Sequence, residues 1–354
     1  FTFRHQLRLY LLLTALTTIW IICIIDEIRR YLHEVKYISI EPGIKSIHFW
    51  KSRPHWVSRE AFSKCKLKCK VTEGKYIPQN SDAIVFHSPD TWLAKPPTKH
   101  MGQIWVFFSL EPPLKLQMSF YNWQRVFNWT MSYRRDADIY YPYGNFTTDN
   151  IIPRKQAKTK PWTKTTAAWF VSNCHTQSKR ERFVKLLRMY MNVHVFGDCG
   201  SYTCTRHQDR QCLDKLDENY NYYLSFENSL CRDYVTEKFF RGYKLSNVIP
   251  VVRGNSNYSM YGPPDSFIDS SIFTSTRKLA RYLTSIASSE KIFSSFFQSR
   301  DNYHMEESIS APHCELCRRL HNPSAYKRLY DDIGRWVFGS DHVSICVPPN
   351  DLKL

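Results

Sequence analysis

The chain opens with an unbroken apolar run. Leu9 to Ile25, LYLLLTALTTIWIICII, is apolar or mildly polar throughout, whereas a buried soluble helix would keep one polar face. At 1.5 Å per residue it spans about 26 Å, close to the roughly 27 Å of a thin early-secretory bilayer. DEIRR follows with no small-residue cleavage site, so the run predicts an uncleaved signal-anchor transmembrane helix. Residues 1–8 then form a cytoplasmic tail and 26–43 a short stem. The chain starts at Phe1 rather than a methionine, so the true N-terminus is expected upstream. Beyond the stem the apolar spacing shortens to strand length. IKSIHF near 44, AIVFH at 83, IWVFFSL at 104 and ADIYYP at 137 read as strands. PRKQAKTKPWTKTT, 153–166, lacks periodicity and reads as a linker. A second series follows: strand AAWFVS at 167, a helix from about Ser178, strands VHVFG at 193 and YYLSF at 222, a helix from Tyr234 to about Leu245, and strand NVIPVV at 247. Phe183, Val184, Leu187, Tyr190 and Met191 fit one helical face, and Val235, Phe239 and Tyr243 form the stripe of the next helix.

Alternating strand and helix implies parallel sheets with helices outside. The predicted class is therefore α/β: two Rossmann-like domains facing a cleft, at 44–152 and 167–310, with a cysteine-containing C-terminal tail at 311–354. Composition adds a partner and a compartment. The net charge is +17, which suits an anionic partner; a basic solvated surface is the plainer reading. No zinc-finger, homeodomain or RNA-binding signature accompanies the charge, so no nucleic-acid partner is expected. Ten of the eleven cysteines follow the apolar span, an even number that suits an oxidising lumen. Three sequons, at Asn128, Asn145 and Asn257, also follow it. A luminal body is expected.

One strand-to-helix corner gathers polar groups: LSFENSLCRDYVTEKFF, 224–240. In open α/β sheets ligands bind beyond the carboxyl ends of strands. Asp233 is a plausible N-cap, and a helix start favours an anion. Lys238 places a positive charge near a phosphate, Glu237 accepts from ribose hydroxyls, and Tyr234 and Asn228 add donors. A nucleoside diphosphate fits this set; an ordinary capped helix with surface charges fits it equally well on composition.

The order of residues goes further. FENS followed by DYVTEKFF closely resembles the donor-binding signature of the α-1,3/4-fucosyltransferases, glycosyltransferase family 10. FNWTMSYRRDADIYYPYG (127–144), VSNCHTQSKRERFVKLL (171–187), VHVFGDCG, VIPVVRG, PPDSFID and CELCRRLH resemble further family segments, in family order. The resemblance implies a two-domain GT-B fold, GDP-β-L-fucose as donor, inversion at the anomeric carbon and a type II Golgi membrane enzyme. It also implies an acceptor, the 3-hydroxyl of a GlcNAc residue on a glycan, whether core N-glycan, LacdiNAc or Lewis-type antenna. No obligatory cofactor is implied; a divalent cation, Mn or Mg, would at most stimulate by neutralising GDP, without a dedicated metal site.

The resemblance assigns Asn228, Tyr234, Glu237 and Lys238 to the donor, and Arg180, with Arg182 its neighbouring alternative, to the diphosphate. A guanidinium suits that anion because it bonds bidentately. Glu111, at the tip of IWVFFSL, is the expected general base. The family segment reads FESP where this chain has LEPP. Two other patterns are discounted. DAD at 136–138 looks like a metal motif but falls away from the donor corner. HCELCRRLH offers His313, Cys314, Cys317 and His321 in zinc-like spacing, yet an oxidising lumen favours disulfides, and Cys65 and Cys69 are candidate partners for Cys314 and Cys317. A catalytically silent GDP-sugar or glycan binder and a polyanion binder are the competing functions.

Overall fold

The computed structural model describes residues 16–27, 29, 43–88, 95–116, 120–148, 166–204, 209–245, 247–306, 310–340 and 343–352. Residues 16–27 are helical. Among the described residues no helix is long and apolar enough to cross a membrane. The rest of the expected 9–25 span, the tail, most of the stem and all but the last residue of the linker lie outside the described residues.

The first half runs β1 (Lys45–Trp50), α1 (Arg59–Ser63), β2 (Cys69–Gly74), β3 (Ala83–His87), β4 (Ile104–Ser109), β5 (Trp129–Ser132) and β6 (Ile139–Tyr140), followed by β7 (Asn145–Thr147). Its sheet has the order β2-β1-β3-β4-β5-β6, parallel at every pairing. β4, IWVFFS, is buried on both faces, as a central parallel strand must be. β2, CKVTEG, escaped the sequence reading because it is a half-buried edge strand with polar residues.

The second half runs β8 (Thr166–Phe170), α2 (Arg180–Leu187), β9 (Asn192–Phe196), α3 (Asp209–Asn219), β10 (Tyr222–Phe226), α4 (Glu237–Arg241), β11 (Ile249–Arg253) and β12 (Ile268–Asp269). After these come α5 (Thr276–Ala287), α6 (Glu290–Gln298), β13 (His304–Glu306), α7 (Ser310–His321) and α8 (Ile333–Phe338). The second sheet has the order β12-β11-β10-β8-β9, again parallel. β13 pairs antiparallel with β7 of the first half.

Two expected details are corrected. α2 buries Phe183, Val184 and Leu187, but it ends at Leu187, so Tyr190 leaves the apolar face and is 37% exposed. α4 begins at Glu237, not Tyr234. Its N-cap is Thr236, whose side chain accepts from the Lys238 backbone N–H. Asp233 is no cap: it sits in the left-handed region at φ 62, and its carboxylate accepts from Tyr261 Oη (3.0 Å) and the Arg135 N–H (3.3 Å).

The expected C-terminal tail is integral to the first domain. Among the described residues, the only α-helix that domain supplies between its own strands is the five-residue α1, beside two three-residue 3-10 turns, so both faces of its sheet need cover from elsewhere. On one face α7 packs Leu316 and Leu320 against Ile47, Val85 and Val106. On the other, Ile333 and Val337 of α8 pack with Trp105, Phe107 and Trp123. Disulfides Cys65–Cys314 and Cys69–Cys317 fix α7 in place. The chain then crosses to the second domain, where Asp351 accepts two hydrogen bonds from buried Arg253, at 2.6 and 2.7 Å.

Candidate active site

In the second sheet β8 comes first in the chain, β9 lies on one side of it and β10 on the other. This reversal of strand order opens a crevice at the carboxyl ends, the usual ligand position in such sheets. A cavity of about 400 Å³ occupies it, lined by Arg180, Asn228, Glu237, Lys238 and Arg241 among others. Gly197 forms part of its wall at φ 91, and a Cβ there would meet the Val171 carbonyl oxygen at 2.7 Å. Only glycine allows this close approach.

Arg180 is 3% exposed. Its Nη1 donates to the Phe226 carbonyl at 2.8 Å and Nη2 to that of Asn173 at 3.4 Å, while Nε–H is shielded from solvent with no partner. Ser178 sets this placement by tying the start of α2 to the corner. Its Oγ donates to the Glu227 carbonyl (2.7 Å) and its N–H to that of Asn228 (3.1 Å). Asn228 Oδ1 is likewise buried without a partner. Unspent hydrogen-bonding groups at one cavity are rare in a native fold and mark where a polar ligand belongs.

Lys238 Nζ donates to Thr236 Oγ1 (2.8 Å) and Glu237 Oε1 (2.9 Å) and lies 3.5 Å from Glu227 Oε2. Burial alone would lower its ammonium, but Glu227 and Glu237 outweigh that and hold it above its ordinary range. Glu237 is pushed up by burial, yet the Lys238 charge and hydrogen bond bring it below the usual carboxylate value. Glu227, fully buried, accepts from the Thr236 N–H (2.8 Å) and hydroxyl (2.8 Å). Burial raises its carboxyl despite Lys238. On sequence Glu227 is only one of several polar groups at the corner. The structure makes it the brace that aims Lys238 and places Thr236 as the cap.

Opposite stands the first sheet. β4 ends at Ser109, and Ser109 Oγ accepts from the Glu111 N–H while donating to its carbonyl, both at 3.2 Å. Ser88 Oγ donates to Ser109 at 3.0 Å, and Tyr143 Oη to the Leu110 carbonyl at 2.5 Å. These bonds present Glu111 to the cleft. Its side chain is open to solvent there, yet the walls displace enough water that burial raises its carboxyl. Lys238 of the other domain and Lys115 oppose the rise, and Glu237 adds to it. The expected base and the expected donor-site charges thus face one another across the cleft.

Both halves of the chain match models of one family: "Fucosyltransferase, N-terminal" over residues 43–144 and "Glycosyltransferase family 10 (fucosyltransferase) C-term" over 159–336. The chain belongs to glycosyltransferase family 10. It is 37% identical over 309 residues to Alpha-(1,3)-fucosyltransferase C of Drosophila melanogaster, covering 78% of this chain and 71% of the relative. It is 34% identical to Alpha-(1,3)-fucosyltransferase 7 of Bos taurus, covering 76% and 78%. With Glycoprotein 3-alpha-L-fucosyltransferase A of Drosophila melanogaster the identity is 30%, and the chain spans 65% of that relative's length. A solved structure described as "Crystal Structure of alpha1,3-Fucosyltransferase" aligns over 83% of this chain and 96% of its own with a TM-score of 0.50. At 15% identity this is a likeness of fold.

Within this family member Tyr234 departs from expectation. It does not line the cavity. Its buried ring stands edge-on to Tyr133 (5.0 Å) and Tyr143 (6.5 Å) between the domains, close enough to Glu227, Glu111 and Glu237 for their charges to raise its hydroxyl further once burial has done so. Asp136 and Asp138 are occupied, as the discounting of DAD requires. Asp136 pairs with Arg134 (2.5 Å) and with Arg232 of the second domain (2.8 Å). Asp138 accepts from the Thr130 N–H, Tyr330 Oη and Arg328.

The zinc-like spacing resolves into disulfides. Cys69, Cys317 and His321 lie close together, but the two sulfurs are bonded to each other and His321 Nε2 meets the Lys68 carbonyl. The ten cysteines after Cys23 form five disulfides. Cys174–Cys199 joins the loops after β8 and β9 beside the cavity, and Cys231–Cys346 holds the corner itself. Among the sequons, Asn145 and Asn257 are exposed. Asn128 differs from them: its Oδ1 accepts from the Trp105 N–H (3.0 Å) and Lys99 Nζ (2.6 Å), and its Nδ2 donates to the Arg328 carbonyl (3.1 Å). This amide is committed to three hydrogen bonds within the fold, one of them from the nitrogen a glycan would take.

Proposed function

We propose that this chain transfers L-fucose from GDP-β-L-fucose to the 3-hydroxyl of a GlcNAc residue on a protein- or lipid-linked glycan, with inversion, and that its two sheets form a GT-B pair. The observation that carries this reading is one carboxylate on the first sheet facing two cations on the second, Arg180 buried and Lys238 half-buried. Glu111 takes the proton of the acceptor hydroxyl as that oxygen bonds to the anomeric carbon. The bond from that carbon to the β-phosphate breaks on the opposite side and GDP leaves. Arg180 and Lys238 stabilise the charge that develops on the diphosphate, and fixed cations in a desolvated wall do so without reorganising. Asn228 offers an unspent carbonyl to the nucleotide, and Glu237 accepts from the ribose.

A divalent cation would act on GDP itself, since no carboxylate cage is assigned to hold it. Five disulfides and the two exposed sequons support a luminal body, and we place it in the Golgi on a type II anchor. The test is turnover of GDP-fucose on a panel of core N-glycan, LacdiNAc and Lewis-type acceptors, with linkage analysis. An α-1,3-linked product on GlcNAc is expected. GDP binding without product on any acceptor would overturn the reading in favour of a silent binder.

A further inference from the structure

β4 and β5 are parallel neighbours with Ser109 opposite Ser132, so Tyr133 leaves the sheet level with Leu110, one residue before Glu111, and the Glu111 charge is near enough to raise the Tyr133 hydroxyl further once burial has done so. Tyr133 is 2% exposed, and its hydroxyl is shut from water with no hydrogen-bond partner. Its ring is pinned edge-on by Tyr234 at 5.0 Å. A buried orphan hydroxyl in a native fold asks for a partner that arrives. Tyr143, also nearby, already gives its hydroxyl to Leu110. The Glu111 bonds to Ser109 use only backbone atoms, and its side chain is open to the cleft.

We propose that Tyr133 is a positioning residue for the transfer: in the working cleft its hydroxyl donates to the Glu111 carboxylate and turns the free oxygen toward the acceptor. The inference rests on Glu111 being the base. The ring is fixed and the carboxylate side chain is open to the cleft, so the carboxylate swings to the phenol. The surrounding charges leave room for this bond to matter. Lys238 and Glu237 from α4, and Lys115 from its own loop, face Glu111. Arg134 and Asp136 on the same loop, and Asp233 from the second domain, face Tyr133. Burial raises Glu111, and a hydrogen bond to its ionised form lowers it again, keeping the base deprotonated.

Tyr133→Phe keeps the ring contact and removes the donor. Losing a hydrogen bond to a charged group should lower kcat about 10-fold and move the acid limb of the kcat–pH profile up by roughly one unit. The KM for GDP-fucose and the melting temperature should hold. On a Glu111→Gln background the same change should add almost nothing, because the two residues act as one unit. The limb position is independent of how much protein is folded, so partial misfolding does not blur it. An unmoved limb, or the same loss on the Glu111→Gln background, overturns the role of Tyr133 while leaving the base intact. Glu111→Gln alone separates the two: if it keeps more than about a third of turnover, far outside the general-base range, the base reading fails and this inference with it.

Discussion

At the carboxyl edge of the second sheet, buried Arg180 and half-buried Lys238 sit among Glu227, Glu237 and the partnerless Asn228 oxygen. At the corresponding edge of the first sheet stand Glu111, His87 and Trp56. Trp56, in the loop after β1, is 42% exposed, with its ring 5.7 Å from that of His87 at the end of β3. Burial pushes His87 down to about 4, so its imidazole is neutral at cellular pH. One edge is dense in charge; the other is mainly aromatic, with one candidate base. The difference follows from what each must hold. A diphosphate needs fixed cations to replace its water, whereas a neutral sugar needs surface and one proton acceptor.

The largest test removes the base and leaves the other edge alone. Glu111→Gln keeps size but cannot take a proton. Turnover should fall by about 10² to 10⁴, with GDP affinity nearly unchanged because the cations belong to the other domain. The raised Glu111 carboxyl sets a sign for pH. Activity should be lost as pH falls through a value above the ordinary ~4.3, and that limb should vanish in the variant. Retained turnover, or a matching loss of GDP binding, would erase the distinction between the edges.

The halves also differ in how they are covered, and this gives the next effect. The second sheet is covered by α2, α5 and α6 from its own stretch of chain, while the first borrows α7 and α8. Cys65–Cys314 and Cys69–Cys317 close loops of 249 and 248 residues. Replacing all four cysteines by serine should cost about 4–5 kcal/mol of stability, read as a fall in melting temperature. Replacing one pair should cost far less, since the other already closes nearly the same loop. Equal costs for one pair and for both would mean that the borrowed cover is held by packing alone.

Legibility followed the same divide. β4, β8 and β10 were readable because strands buried on both faces are continuous apolar runs. The cover of the first sheet was not, because α7 (Ser310–His321) meets β1 (Lys45–Trp50) from the far end of the chain and no local pattern records that. The start of α4 was misplaced because Asp233 has the chemistry of a cap, while the decisive partner of Thr236, the buried Glu227, becomes visible only once β10 and α4 are side by side. Arg180 and Glu111 came from the family resemblance; the burial and orphan N–H of Arg180 and the charges facing Glu111 came from the structure. The resemblance places Tyr234 at the donor; what only the fold shows is its ring standing against Tyr133 and Tyr143.

Lys238→Ala tests the charged edge at middle size. Loss of a charge-assisted contact is worth about 1.5–3 kcal/mol, roughly 10- to 150-fold in GDP-fucose use. GDP affinity should fall with it. Arg180→Ala should act likewise but also lower the melting temperature, because its guanidinium holds the Phe226 carbonyl inside the core. Unchanged GDP affinity in either variant would remove that residue from the site and make the cation pair an incidental feature of the fold.

The smallest effect probes the aromatic edge. Trp56 lies at the reversal of strand order in the first sheet, between the ends of β1 and β3, on the same carboxyl edge as Glu111. A sugar face laid on its ring would cover ~40 Å² of apolar surface, worth about 1 kcal/mol at ~25 cal/mol per Å², or roughly 5-fold. Trp56→Ala should therefore raise the acceptor KM about 5-fold and leave the GDP-fucose KM where it was. Lys238→Ala should do the reverse. Such a crossed pattern requires that each substrate be read by its own edge. If Trp56→Ala instead moves both constants together, the ring supports the cleft as a whole, and the acceptor is held by some other part of the first domain.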